Sequence, residues 1–424
     1  MLLAQPELSS WVFNKGQYAS YWENTSKNSI PTYTFYTSTV LSDVTKVCYS
    51  NDYVWTESDG MTTNMGQFLN PGAPTAQNYI YRFPRKPTVP TTKTTSPYVG
   101  SIGLLINGVP IYGLSNAGYW NGTNNNGKGT GTWNVEVYKS EGLVLDATLG
   151  AHPQQQGAYH SHAKPARLYT GTGTNVHSPI VGYAFDGYPV YGPYGYANAT
   201  VVGTVSRMKS GYSLRNITTR TTLSDGTALA SDKYGPAVST TYPIGTYIED
   251  YEWLASNGGD LDKYNGRFCR TPEYPNGTYA YFVTVDASGT PQFPYYIGPQ
   301  YYGAPETDDI TFGKTITIPT SGVTCITTFV GNTTTPGTTS LFGSEYKSVT
   351  VFPNPAVNKT FNLNLPDLSG VSQIEIYSTE GLKVFEKTVI ANLTEISFPS
   401  ATNQSVYILK VINNNKVYST KIQF

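Results

Sequence analysis

Ile102-Gly103-Leu104-Leu105-Ile106-Asn107-Gly108-Val109-Pro110-Ile111-Tyr112-Gly113 and Val181-Gly182-Tyr183-Ala184-Phe185-Asp186-Gly187-Tyr188-Pro189-Val190-Tyr191-Gly192 are two versions of one pattern. In each, a short apolar strand runs into Asn-Gly or Asp-Gly, then into a proline and a second short strand. Such pairs turn tightly because φ > 0 is cheap there. The pattern predicts two equivalent β-hairpin-like corners, repeated by duplication. Asp186 stands where the first version has Asn107, so only the second can hold a negative charge near a site.

Composition extends this reading to the whole chain. Its 41 Gly and 28 Pro in 424 residues punctuate it too often for long helices. Its 36 Tyr, with many Thr, favour a pleated, half-buried surface. The fold class expected is mainly β: a large mixed-β domain with few short helices, then a small C-terminal β-sandwich. A net charge of -1 gives no electrostatic case for nucleic acid or an anionic membrane. No apolar run reaches the ~20 residues that span a bilayer. Cys48, Cys269 and Cys325 have no metal-ribbon spacing; they allow at most one internal disulfide and leave one thiol over.

Four segments are expected. Residues 1–10 are the stub of a removed signal peptide or a disordered start, and 11–330 form the main domain. Residues 331–347 are a linker, since Gly331-Asn332-Thr333-Thr334-Thr335-Pro336-Gly337-Thr338-Thr339-Ser340 has no apolar period. Residues 348–424 form the sandwich. There Gln373–Tyr377 alternates with period two, turns at Ser378-Thr379-Glu380-Gly381 and returns through Leu382–Lys387. Val406–Val411 and Lys416–Ile422 make a second hairpin about Asn413-Asn414-Asn415.

Val351-Phe352-Pro353-Asn354-Pro355, Tyr377-Ser378-Thr379-Glu380-Gly381 and the terminal Val406-Tyr407-Ile408 hairpin resemble the C-terminal sorting domain of type 9 secretion cargo. The resemblance implies export across the outer membrane, a secreted or outer-cell-surface location, and the type 9 translocon with its sorting machinery as partner of 348–424. An ordinary carbohydrate-binding or adhesive sandwich is the alternative.

All four histidines, His152, His160, His162 and His177, fall within one short stretch. In His160-Ser161-His162, two imidazoles project from one face of a strand and can share a metal ion. His152 or His177 would supply a third ligand, with Asp186 as ligand or as the group that orients one. No cysteine lies among them, and an all-histidine site favours copper or zinc over calcium. A metal-free catalytic or sugar-binding site, and a purely structural cluster, remain as other readings. Ala151-His152-Pro153, Gly157-Ala158-Tyr159-His160-Ser161-His162, His177–Gly192, Asp260–Phe268 and Thr271–Tyr281 together resemble the YHYH protein family. The family pattern carries Tyr at the position of Ser161, so one aromatic on the opposite face is lost while the histidine pair survives. The resemblance implies domain identity and no particular activity.

The acidic residues of the second half suggest less. Glu249-Asp250-Tyr251-Glu252 and the pair Asp260/Asp262 could do acid/base work only across a cleft. Asp260, Asp262 and Glu273 are candidates for a calcium or structural acidic site, with Arg267 paired to one of them. No GxSxG, P-loop, HExxH or dinucleotide fingerprint is present. An extracellular glycan remains a candidate partner, with the tyrosines as its platform and the histidines structural.

Overall fold

The computed structural model describes residues 5–26, 31–70, 72–311, 314–326, 350–357, 360–364, 372–378, 383–389, 393–397, 406–413 and 416–423. The linker, the first four residues, and the turn residues 379–382 and 414–415 lie outside them. The described residues up to Ile326 belong to one compact unit and those from Thr350 to a second. The architecture is β-rich with only short helices, as composition indicates.

The first unit is built on an eight-stranded sheet. Its strands are β1 (Ser101–Leu105), β2 (Pro110–Tyr112), β3 (Ala151–Pro153), β4 (Tyr159–Ser161), β5 (Ile180–Ala184), β6 (Pro189–Tyr191), β7 (Gly266–Cys269) and β8 (Thr278–Phe282). They lie in the order β3-β4-β2-β1-β5-β6-β8-β7. The two echoing sequences are the hairpins β1–β2 and β5–β6, and they meet at the centre. Leu105, Leu104 and Gly103 pair antiparallel with Gly182, Tyr183 and Ala184. From there the sheet repeats outward. The second strand of each hairpin takes a parallel neighbour, Ile111 opposite Ser161 and Val190 opposite Tyr281. Each of those neighbours then takes an antiparallel edge strand.

Two glycines make the central pairing possible. A Cβ on Gly103 would stand 2.6 Å from the Tyr183 carbonyl oxygen, and one on Gly182 equally close to that of Leu104. The turn glycines Gly108 and Gly187 have φ of +78° and +85°, the left-handed region that glycine enters freely. Ile102, Leu105, Ile111, Val181, Val190 and Tyr281 bury their side chains in one continuous core. Much of the tyrosine excess sits there too, with its hydroxyls satisfied. Tyr301 donates to the Ile102 carbonyl at 2.9 Å and Tyr295 to Glu136 at 2.8 Å, as buried phenols require.

A second sheet orders Thr324–Ile326, Val44–Tyr49, Tyr53–Ser58 and Tyr79–Pro84. Cys325 lies opposite Cys48, and the two form a disulfide across 277 residues. Cys269 is the free thiol, buried, and burial raises its pKa. Replacing Cys48 and Cys325 together by alanine should lower stability by about 2–4 kcal/mol, measured by urea denaturation against a Cys269→Ala control.

The one helix that bears on the site is α1 (Val137–Glu141). Glu136 caps its start, accepting from the backbone N–H of Tyr138 at 3.0 Å and of Lys139 at 2.7 Å. The second unit is the expected sandwich. Thr350–Val357, Thr360–Asn364 and Leu393–Ser397 form one sheet; Lys383–Val389, Ser372–Ser378, Val406–Asn413 and Lys416–Gln423 form the other. Phe361, Leu363, Ile374, Ile376, Leu409 and Val411 bury their side chains in its core. Among the described residues no helix is long and apolar enough to cross a membrane.

Candidate metal centre

The edge of the large sheet gathers three histidines. On antiparallel β3 and β4, His152 stands directly opposite His160. His162 follows two residues after His160 and shares its face. One ring nitrogen from each lies within 4.8 Å of the others, and the residues are 4%, 2% and 4% exposed. The parallel pairing of β2 with β4 lays the Tyr112 ring on His160, centroids 3.8 Å apart. Ser161 points the other way: its hydroxyl lies 2.5 Å from the Leu149 carbonyl and 2.6 Å from the Tyr296 hydroxyl.

Hydrogen bonds set the tautomers. His160 Nδ1 lies 2.9 Å from the Ala158 carbonyl, and His162 Nδ1 lies 3.1 Å from that of Gly113. A carbonyl only accepts, so each Nδ1 carries the proton. In the neutral rings both Nε2 atoms are then lone pairs, and they face each other at 2.9 Å. Burial opposes a proton there. It pushes His160 well below its ordinary 6.5, with repulsion from His162 and His152 adding to it. His162 is lowered to about 4 by burial and by His152.

His152 has a different partner. Asn70 Nδ2 lies 2.7 Å from its Nδ1 and 3.2 Å from the Pro153 carbonyl. His152 Nε2 and Asn70 Oδ1 are buried without a well-aligned hydrogen bond. Beside that Nε2 stands the Glu141 carboxylate, at the end of α1. Glu141 Oε2 lies 3.3 Å from His152 Nε2 and 3.8 Å from His162 Nε2. Burial alone would raise the Glu141 pKa, but the contact with His152 and the attraction of His162 outweigh it and the net is a lowering. Glu141, Asn70 and Tyr112 are the members of this centre that sequence reasoning missed. The ten residues between Glu141 and His152 hide a proximity that only the turn after α1 creates.

The other candidates lie elsewhere. His177 is not in this group. Its Nδ1 bonds the Ser178 carbonyl at 2.8 Å, and its ring packs on Tyr191, Tyr196 and Phe282. Phe282 follows the Tyr281 that pairs with Val190, so it occupies in the second half of the sheet the place His162 occupies in the first. Asp186 is fully buried and accepts from the Tyr281 hydroxyl at 2.5 Å and the Gly303 N–H at 2.8 Å. It is a structural hub at the foot of the second hairpin; burial raises its pKa to about 6. Asp260 accepts from the Lys209 N–H, Asp262 from the Tyr279 hydroxyl, and Glu273 from the Tyr191 hydroxyl. Among the described residues these three carboxylates form no common cation site. Arg267 pairs with none of them. It donates to the Tyr196 carbonyl and lies over the Phe282 ring.

His177 offers a clean pH test. Burial lowers it to about 4, so the folded ring stays neutral where the unfolded one protonates. It therefore costs stability as pH falls from about 6.5 towards 4. Glu136 and Glu249, raised to about 7 by burial, act in the opposite sense, so the comparison must be with a variant. The stability difference between His177→Phe and the wild type should move in the variant's favour as pH falls over this range in thermal melts, and stay constant above pH 7.

Residues 80–294, just over half of the chain, match the YHYH protein family, and residues 350–424 match the secretion system C-terminal sorting domain. The chain belongs to the YHYH protein family. Its tail marks it as cargo exported across the outer membrane, to the cell surface or beyond, through the type 9 sorting machinery. No curated protein matches the chain.

Proposed function

We propose that this exported chain is a metalloprotein that binds a transition metal ion through Nε2 of His152, His160 and His162. One observation carries the reading: two buried lone pairs face each other at 2.9 Å where burial disfavours a proton, and a cation relieves both. Tetrahedral bonds of 2.0–2.1 Å separate ligand atoms by about 3.3 Å. Glu141 Oε2 stands 3.3 Å from His152 Nε2 and 3.8 Å from His162 Nε2, as fourth ligand or as a base beside a bound water. Neutral imidazoles with a single carboxylate and no thiolate suit copper or zinc. The task is metal capture, a redox step or metal-assisted hydrolysis. In this reading the chemistry belongs to residues 11–330 and export to 348–424, joined by 331–347.

Asn70 orients the third ligand. A half-turn of its amide gives up the bond to the Pro153 carbonyl, sets Oδ1 against His152 Nδ1–H and leaves the Nε2 lone pair to the metal. Asn70→Leu should therefore weaken metal binding by about 10–100-fold with the fold intact, read by competition against a chromophoric chelator. The proposal itself is tested by elemental analysis of the purified chain and titration with Cu(II) and Zn(II). One tightly held equivalent is expected; no binding above that of a generic surface histidine would end it.

A further inference from the structure

On the first unit, a cleft of about 310 Å³ opens beside α1, a size typical of ligand sites. Tyr251 forms its platform. That ring lies flat on buried Phe293, centroids 4.1 Å apart and planes 9° apart, and both rings line the cleft. Tyr212 meets the same Phe293 edge-on. Aromatic faces held this way attract the slightly positive C–H groups of a sugar ring.

The polar groups around the platform point to a neutral ligand. Glu136, the one carboxylate among the described residues that line the cleft, is already held by two backbone N–H groups and the Tyr295 hydroxyl. Among the described lining residues Lys139 is the one cation, too little for a polyanion. Among the described residues nothing hydrogen-bonds the Gln292 side-chain amide or the Tyr251 hydroxyl, so both are open to hydroxyl groups. Glu141, at the far end of the same helix, rises about 5 Å beyond Tyr138, which lines the cleft.

We propose that this cleft binds a neutral oligosaccharide, stacked on Tyr251 and hydrogen-bonded at its rim by Gln292. Calorimetric titration of the full chain against soluble neutral β-glucan, mannan and xylan, with alginate as the polyanionic control, tests it. At least one neutral polysaccharide should bind. Leu214→Arg, which fills the cleft from a side chain 45% exposed, and Tyr251→Ala should each weaken that binding by about tenfold or more. His160→Ala/His162→Ala should bind it as the wild type does, which separates this site from the metal centre. Binding of alginate alone, no binding of any neutral chain, or full binding by a correctly folded Leu214→Arg would overturn the proposal. Loss of binding in the histidine variant would assign the ligand to the metal centre instead.

Discussion

Replacing His160 and His162 together by alanine should weaken copper or zinc binding by about 100-fold or more. Each ring contributes a lone pair to one point, and each is held in the required tautomer by a backbone carbonyl. Neither ring can turn away without leaving its Nδ1–H unpaired in a buried place. The same substitution removes a lone-pair repulsion from the metal-free protein. It also opens a cavity beside Tyr112 and frees the Ala158 and Gly113 carbonyls, so the variant should still melt cooperatively without metal but at a lower temperature, and the further stabilisation that bound metal gives the wild type is lost. A variant that simply unfolds would fail the first measurement as well as the second.

The largest single loss of stability is expected at Arg220, outside the metal centre. Arg220 and Asp250 are both fully buried, and the guanidinium grips the carboxylate through Nε at 2.7 Å and a terminal nitrogen at 2.8 Å. Its remaining donors reach the carbonyls of Pro236, Tyr242 and Pro243. Asp250 in turn accepts from the N–H of Gly245 and Tyr247. Arg220→Ala strands a buried charge and frees three carbonyls, and should cost about 3–5 kcal/mol in urea denaturation. Arg220→Lys keeps the charge but not the fork and should also destabilise. The acidic stretch 249–252 is thus tied into structural contacts through its first two carboxylates. Glu249 is spent on Asn134, and Asp250 on the segment that Arg220 ties down.

Local physics made part of this molecule legible in its sequence. Asn107-Gly108 and Asp186-Gly187 announce their turns because positive φ is a property of those residues, and both hairpins form. The alternating strands of the C-terminal unit follow from period-two burial, with Ile374 and Ile376 inside. His160-Ser161-His162 announces a shared face for the same reason. What could not be read depends on long-range pairing. The partner of Cys48 lies 277 residues away. His177 is a near neighbour of His162 in sequence, yet it enters the other half of the sheet because β5 pairs with β1 at the centre. Glu141 carries no spacing signal at all, and a short capped helix brings it to the histidines. Ser161 leaves a trace of its own. Tyr281, its counterpart opposite Val190, reaches Asp186. Ser161 reaches Leu149 and Tyr296 instead, and both amide atoms of Asn107 are buried without a partner.

The metal reading stands or falls on where a bound ion sits. X-ray absorption at the copper or zinc edge, on the full chain loaded with one equivalent, measures this directly. The geometry predicts three imidazole nitrogens at about 2.0–2.1 Å, with one imidazole lost in His152→Ala and a light-atom ligand altered in Glu141→Gln. A spectrum with one imidazole or none, unchanged in both variants, would contradict it.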